Sequence, residues 1–178
     1  MGLAHERGLG WLEVKRASPM PMASYFAAKI VVAMGFAIIV QLMLSLLAVT
    51  VGHVELRAWQ WAALTVATLG AAIPFCALGL LLGTLTTASA TPAVANLIAM
   101  PMAICSGLWI PIDFLPETMR RVAAFLPAYH AVQIGRTIVG RPGDWPIAAH
   151  AACLVGFTMV LIGLTVLSWR RSAERANG

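Results

Sequence analysis

The sequence predicts an all-α integral membrane protein: about four transmembrane helices, a cytoplasmic interfacial helix ahead of them, and a proline-broken hairpin before the last. Two observations predict this. The 178 residues are 60% hydrophobic and only 11% charged, with mean hydropathy +0.85. A soluble domain carries roughly 25% charged residues. The apolar residues also gather into four stretches that meet the ~20 residues a helix needs to cross a bilayer. The whole chain, 1–178, reads as a single transmembrane domain.

The first 23 residues form a charged amphipathic segment. Trp11 and its apolar neighbours interleave with Glu6, Arg7, Glu13, Lys15 and Arg16, the composition of a helix lying on a membrane surface. It is equally suited to docking a cytoplasmic protein. No short apolar core with a small-residue cleavage site is present, so no cleavable signal is expected. The segment reads as a loop rather than a natural N-terminus.

The first span is expected at about 24–51, with Ser24 as its N-cap and Lys29 close enough to the interface to snorkel. The second, about 59–84, carries Trp59 and Trp61 as interfacial anchors. Gly79 and Gly83 form a small-xxx-small pair that allows close helix packing, and Pro74 predicts a kink. The third, about 92–110, opens on Thr91-Pro92, a cap and an N1 proline, with Pro101 inside. The fourth, about 146–169, is stopped by Arg170 and Arg171. Short connections make the first three helices antiparallel neighbours. Basic residues in the N-terminal segment and in the 170–178 tail place both termini in the cytoplasm, although this leaves Arg120, Arg121, Arg136 and Arg141 outside.

Between the last two spans, 111–140 is apolar yet punctuated by Pro111, Pro116 and Pro127. Proline fixes φ and lacks a donor, so none can sit mid-helix without disruption. Bare backbone cannot face lipid. The expectation is two short helices, Glu117 to Leu126 ended by Pro127 and then about Tyr129 to Val139. They would form a re-entrant or interfacial hairpin that suits a pathway better than an anchor.

Several chemistries are excluded or weak. The only lysines, Lys15 and Lys29, do not stand in a G-x-x-x-x-G-K-[ST] loop, so ATP hydrolysis of that kind needs another subunit. His5, His53, His130 and His150 form no H-x-x-x-H pair. His130 reads as an interfacial residue and His150 as a snorkelling one, the sharper alternative being an intramembrane enzyme built on either. Cys76, Cys105 and Cys153 are odd in number and dispersed, so neither a disulfide framework nor a zinc site is expected. No cofactor is expected. The net charge of +5 flanks apolar runs, which points to membrane orientation and not to nucleic acid. Polar side chains inside spans are costly. Gln41, Ser45, Asn96 and Ser106 are therefore candidates for a translocation path, with inter-helix hydrogen bonding as the blander alternative. No charge lies deep in any span, which argues against an ion-coupled carrier.

These residues resemble the membrane permeases of type-2 ABC exporters. The likeness rests on Glu6-Arg7-Gly8 with Leu12 to Arg16 and Ser18-Pro19, on Ser106-Gly107 followed by Pro111 to Pro116, and on Phe125-Leu126-Pro127 with Ala131 and Arg136. It covers nearly the whole chain. It implies a dimeric permease in the cytoplasmic membrane, working with a separate ABC ATPase. The ATPase would engage the Glu6 to Arg16 segment, and the paired short helices of the Pro111, Pro116, Phe125, Pro127 and Arg136 hairpin would lie at the outer side. A six-span pattern is implied against the four spans read here, so the first two spans are missing. The function so implied is ATP-driven efflux of an amphipathic drug, antibiotic, lipid or glycan precursor. A non-transporting scaffold or a truncated relic is the alternative.

Overall fold

A computed structural model describes residues 22–141, 143 and 145–174. Every regular element among them is helical: α1 Met22–Thr50, α2 Ala58–Leu85, α3 Thr91–Cys105, a 3₁₀ turn Ile112–Phe114, α4 Glu117–Ala123, α5 Pro127–Ile138 and α6 Ile147–Glu174. The charged segment holding Glu6, Arg7, Trp11, Glu13, Lys15 and Arg16 lies outside the described residues.

Among the described residues three helices are long and apolar enough to cross a membrane: Ala27–Thr50, Ala58–Leu85 and Ile147–Trp169. The expected third span is shorter than predicted. Helix α3 has 15 residues, about 22 Å at 1.5 Å per residue, against a hydrocarbon core of about 30 Å. Its apolar run continues to Ile110, but its helix does not. Leu108 N–H donates to Ala103 at 3.3 Å and Gly107 N–H to Ile104 at 3.4 Å, the paired bonds of a Schellman cap. Gly107 supplies the left-handed φ of +85° that this cap requires.

Smaller boundary differences have local causes. Ser24 falls inside α1, because the helix is already formed at Met22. Thr91 is the first residue of α3 and Ala90 its N-cap; the Thr91 hydroxyl donates back to Thr87 at 2.7 Å. Helix α4 stops at Ala123, and Pro127 opens α5 as well as closing what precedes it, since a fixed φ and a missing N–H are both tolerated in a first turn. Helices α2 and α3 continue through Pro74 and Pro101.

Helix α2 is the hub, touching α1, α3, α5 and α6, while α1 packs chiefly along α2. Ile134, Ile138 and Leu154 are buried where α5 and α6 meet, with Ala63, Leu64 and Ala67 of α2 packed against them. Small alanines on α2 let three helices approach closely, and in lipid that close contact is the attraction that remains. The Gln60 amide strengthens the junction. Its Nε2 donates to the Ile138 carbonyl at 2.8 Å, and its Oε1 accepts from Arg57 N–H at 2.9 Å. One side chain thus serves the start of α2 and the end of α5.

Candidate functional site

The proline-broken segment folds as a tethered hairpin. The Schellman cap at Ser106-Gly107 turns the chain out of α3. Pro111 leads into the 3₁₀ turn, Pro116 into α4, and Pro127 into α5. A second Schellman cap closes α5: Gly140 has φ +86°, with Arg141 N–H donating to Arg136 at 2.8 Å and Gly140 N–H to Thr137 at 3.1 Å. Arg136 reaches Asp113 at 3.4 Å, joining α5 to the 3₁₀ turn. On α4, Arg121 pairs with Glu117. Phe114, Val122 and Phe125 are exposed, apolar side chains at the end of an apolar bundle, as an interfacial or membrane-dipping element requires.

Two histidines that no sequence period pairs hold the hairpin to α6. His130 of α5 and His150 of α6 are each 1% exposed. Neither is the interfacial or snorkelling side chain expected. Their Nδ1 atoms are 2.9 Å apart, and His130 Nε2 lies 3.0 Å from the Ala124 carbonyl. These contacts fix the tautomers. A carbonyl only accepts, so His130 Nε2 carries its hydrogen. The neutral ring then offers a lone pair at Nδ1, and His150 Nδ1–H donates to it. Aromatic rings wall the pair in. Trp145 stacks on His150 with centroids 5.7 Å apart, Tyr129 stands edge-on to both, and Phe157 lies 6.2 Å from His130. Burial pushes the His130 imidazole down from its ordinary pKa, and the bond to Ala124 opposes that in part. His130 is therefore the neutral, accepting half of a clasp joining the end of α4, the first turn of α5 and the first turn of α6. Among the described residues no group of three or more His, Cys, Asp or Glu side chains could hold a metal ion.

The other candidates are scattered. Gln41 and Ser45 of α1 bond to each other at 3.3 Å, and Thr68 of α2 donates to Gln41 Oε1 at 3.1 Å. This is a polar strip between two helices. Asn96 is exposed on α3, far along the chain from that strip. Ser106 is fully buried and donates to Ala103 at 3.0 Å, closing α3. Of the two glycines, Gly83 is buried and Gly79 is exposed, with open space around a Cβ placed at Gly79.

An all-α, multi-pass membrane protein whose last span is clasped to a broken hairpin is the class these observations define. The ABC-2 type transporter family matches residues 1–139, and the chain belongs to that family. The match ends with α5, so His150 lies beyond it. A Bacillus subtilis (strain 168) protein provisionally named transport permease YvfS is 26% identical over 128 residues, 72% of this chain. The chain spans about half that relative's length, 52%. No solved structure matches the chain.

Proposed function

We propose that this chain is a transmembrane permease subunit of an ATP-driven ABC-2 exporter in the cytoplasmic membrane. ATP would be hydrolysed on a separate ABC ATPase, and a second permease copy would complete the pathway. The observation that carries this reading is the family match over residues 1–139. The cargo is amphipathic: a drug, an antibiotic, or a lipid or glycan precursor. Both termini face the cytoplasm, so that Glu6, Arg7, Trp11, Glu13, Lys15 and Arg16 meet the ATPase. The hairpin then stands at the outer end of the pathway. Its attachment to α6 through His130 and His150 supports coupled movement of hairpin and span, because a buried two-ended hydrogen bond resists sliding. The same burial speaks against the enzyme reading, since neither ring is open to a substrate.

The test is reconstitution with the cognate ATPase in proteoliposomes and measurement of ATP-dependent movement of an amphipathic dye. The triple variant Glu6→Ala, Arg7→Ala, Glu13→Ala should keep ATP hydrolysis and lose most dye movement. Wild-type transport by that variant would remove the coupling role from this segment. No ATP-dependent transport by the parent would overturn the permease reading.

A further inference from the structure

The clasp can be counted in hydrogens. His130 and His150 each have two ring nitrogens, and a neutral ring carries one hydrogen. One of the pair's hydrogens is on His130 Nε2, facing the Ala124 carbonyl, and the other lies between the two Nδ1 atoms 2.9 Å apart. A third hydrogen goes on His150 Nε2 and leaves the bridge as it was. A fourth must go on the Nδ1 that accepts, and two hydrogens then face each other across a gap that holds one. The contact therefore survives the first added proton and not the second. Two cationic rings with centroids 5.2 Å apart also repel each other.

Neighbouring groups do not alter this count. On α5, Tyr129 stands edge-on to both rings; on α6, Cys153 follows His150 by three positions. On α4, Glu117 is paired with Arg121, and Arg120 is exposed. Asp113 of the 3₁₀ turn is paired with Arg136. Helix α2 has Cys76 as its one titratable side chain, and α3 has Cys105. Asp144, next to Trp145 in the sequence, is the acid closest along the chain to His150. A carboxylate shifts the pH of either step but makes no room for a second hydrogen in the bridge.

The hairpin has another hold at its far end. Ile138, the last residue of α5, accepts from Gln60 of α2, and Ile134 and Ile138 are buried beside Leu154 and the α2 alanines. The histidines hold the opposite end, where α4 meets α5. Losing the clasp frees one end and leaves the other pinned. We infer that the pair is a proton-operated latch: with both rings charged, α4 and the first turns of α5 swing away from α6 about the Gln60–Ile138 anchor. The inference does not rest on transport. Helix α5 has 12 residues, a lever of about 18 Å, so a swing of about 15° moves its free end about 5 Å.

The full chain, 15N-labelled at histidine in lipid nanodiscs, tests it. Long-range proton–nitrogen spectra from about pH 8 to about pH 4 follow each ring, and the coupling across the N–H···N bridge reports the shared hydrogen. That coupling should outlast the first titration step and vanish with the second. Spin labels at Phe125→Cys and Val155→Cys, both exposed positions, measure hairpin to span once the native cysteines are alanine. Labels at Trp59→Cys and Val139→Cys measure the anchored end. The first distance should change by about 5 Å as the coupling is lost, and the second should hold. His130→Phe should remove the pH dependence of the first distance. Both rings charged with the first distance unchanged overturns the inference, as does a coupling lost at the first step. Rings that stay uncharged throughout make the clasp a fixed joint and overturn it too. Both distances moving together would mean that acid unfolds the chain and opens no latch. The spectra and distances from chains with both histidines decide the matter whether or not His130→Phe folds.

Discussion

His130 and His150 share one proton between Nδ1 atoms 2.9 Å apart, and that proton ties the hairpin to the last span. With His150 donating from Nδ1, His130 is neutral, because a second hydrogen on its Nδ1 would point at the hydrogen of His150. Burial keeps the His130 pKa below its ordinary value, near 6.5 in an unfolded chain. The sign follows. Below about pH 6.5 the unfolded chain binds a proton that the folded chain refuses, so stability is full above that pH and falls as pH drops towards the folded pKa. The limiting slope is about 1.4 kcal/mol per pH unit for one proton. Melting temperature in detergent should be flat from pH 8 to 7 and fall from about 6.5 downwards. His130→Phe should lower it at neutral pH and flatten the slope. A wild-type profile flat to pH 5 would show that the clasp does not titrate.

Gln60 is the second attachment. Gln60→Leu keeps the side-chain volume but strands the Ile138 carbonyl, whose partner at 2.8 Å is Gln60 Nε2. A lost hydrogen bond of this kind costs about 1 kcal/mol. Hydrogen exchange of the last turn of α5 should accelerate about fivefold, with α1 unchanged. Uniform acceleration along the chain would mean that Gln60 stabilises the bundle as a whole and not this junction.

The spans were legible in the sequence because a long apolar run has few alternatives once backbone must be satisfied inside lipid. Pro111, Pro116 and Pro127 likewise announced the hairpin, since each forbids a straight helix through itself. The end of α3 was misplaced because Leu108, Trp109 and Ile110 continue the apolar run, and hydropathy does not register a backbone φ of +85° at Gly107. The histidine clasp was hidden for a different reason. His130 and His150 stand 20 residues apart on two helices, a separation that no helical or metal-ligand period marks. The available hint was that both sit beside aromatic residues, Tyr129 and Trp145, at the junction of hairpin and span.

The two Schellman glycines should respond differently to alanine. Both carry a left-handed φ, +85° at Gly107 and +86° at Gly140, which costs an L-residue about 1–2 kcal/mol. At Gly140 a Cβ meets nothing within 4 Å, whereas at Gly107 it would sit 3.3 Å from the Ile112 Cβ and 3.4 Å from the Ile112 nitrogen. Gly107→Ala should therefore be the more destabilising by up to about 1 kcal/mol, because the 3₁₀ turn must shift as well. Thermal unfolding of the two variants side by side measures this. Equal losses would mean the turn yields freely.

The strip between α1 and α2 distinguishes a path from a joint. Thr68→Val removes the hydroxyl that donates to Gln41 at 3.1 Å and keeps the shape. Inter-helix hydrogen bonds in membranes average about 0.6 kcal/mol, so as a joint the variant should lose about that much stability and keep its transport rate. Gln41→Leu should do the same and also release Ser45, its other partner at 3.3 Å. If these side chains instead line the route, the transport rate or the cargo preference should change while stability moves by the same small amount. Measuring melting temperature and dye movement on one preparation separates the two. The geometry favours the joint, because Gln41 already spends its oxygen on Thr68 and its nitrogen on Ser45, and a cargo would have to break one of those bonds to be recognised.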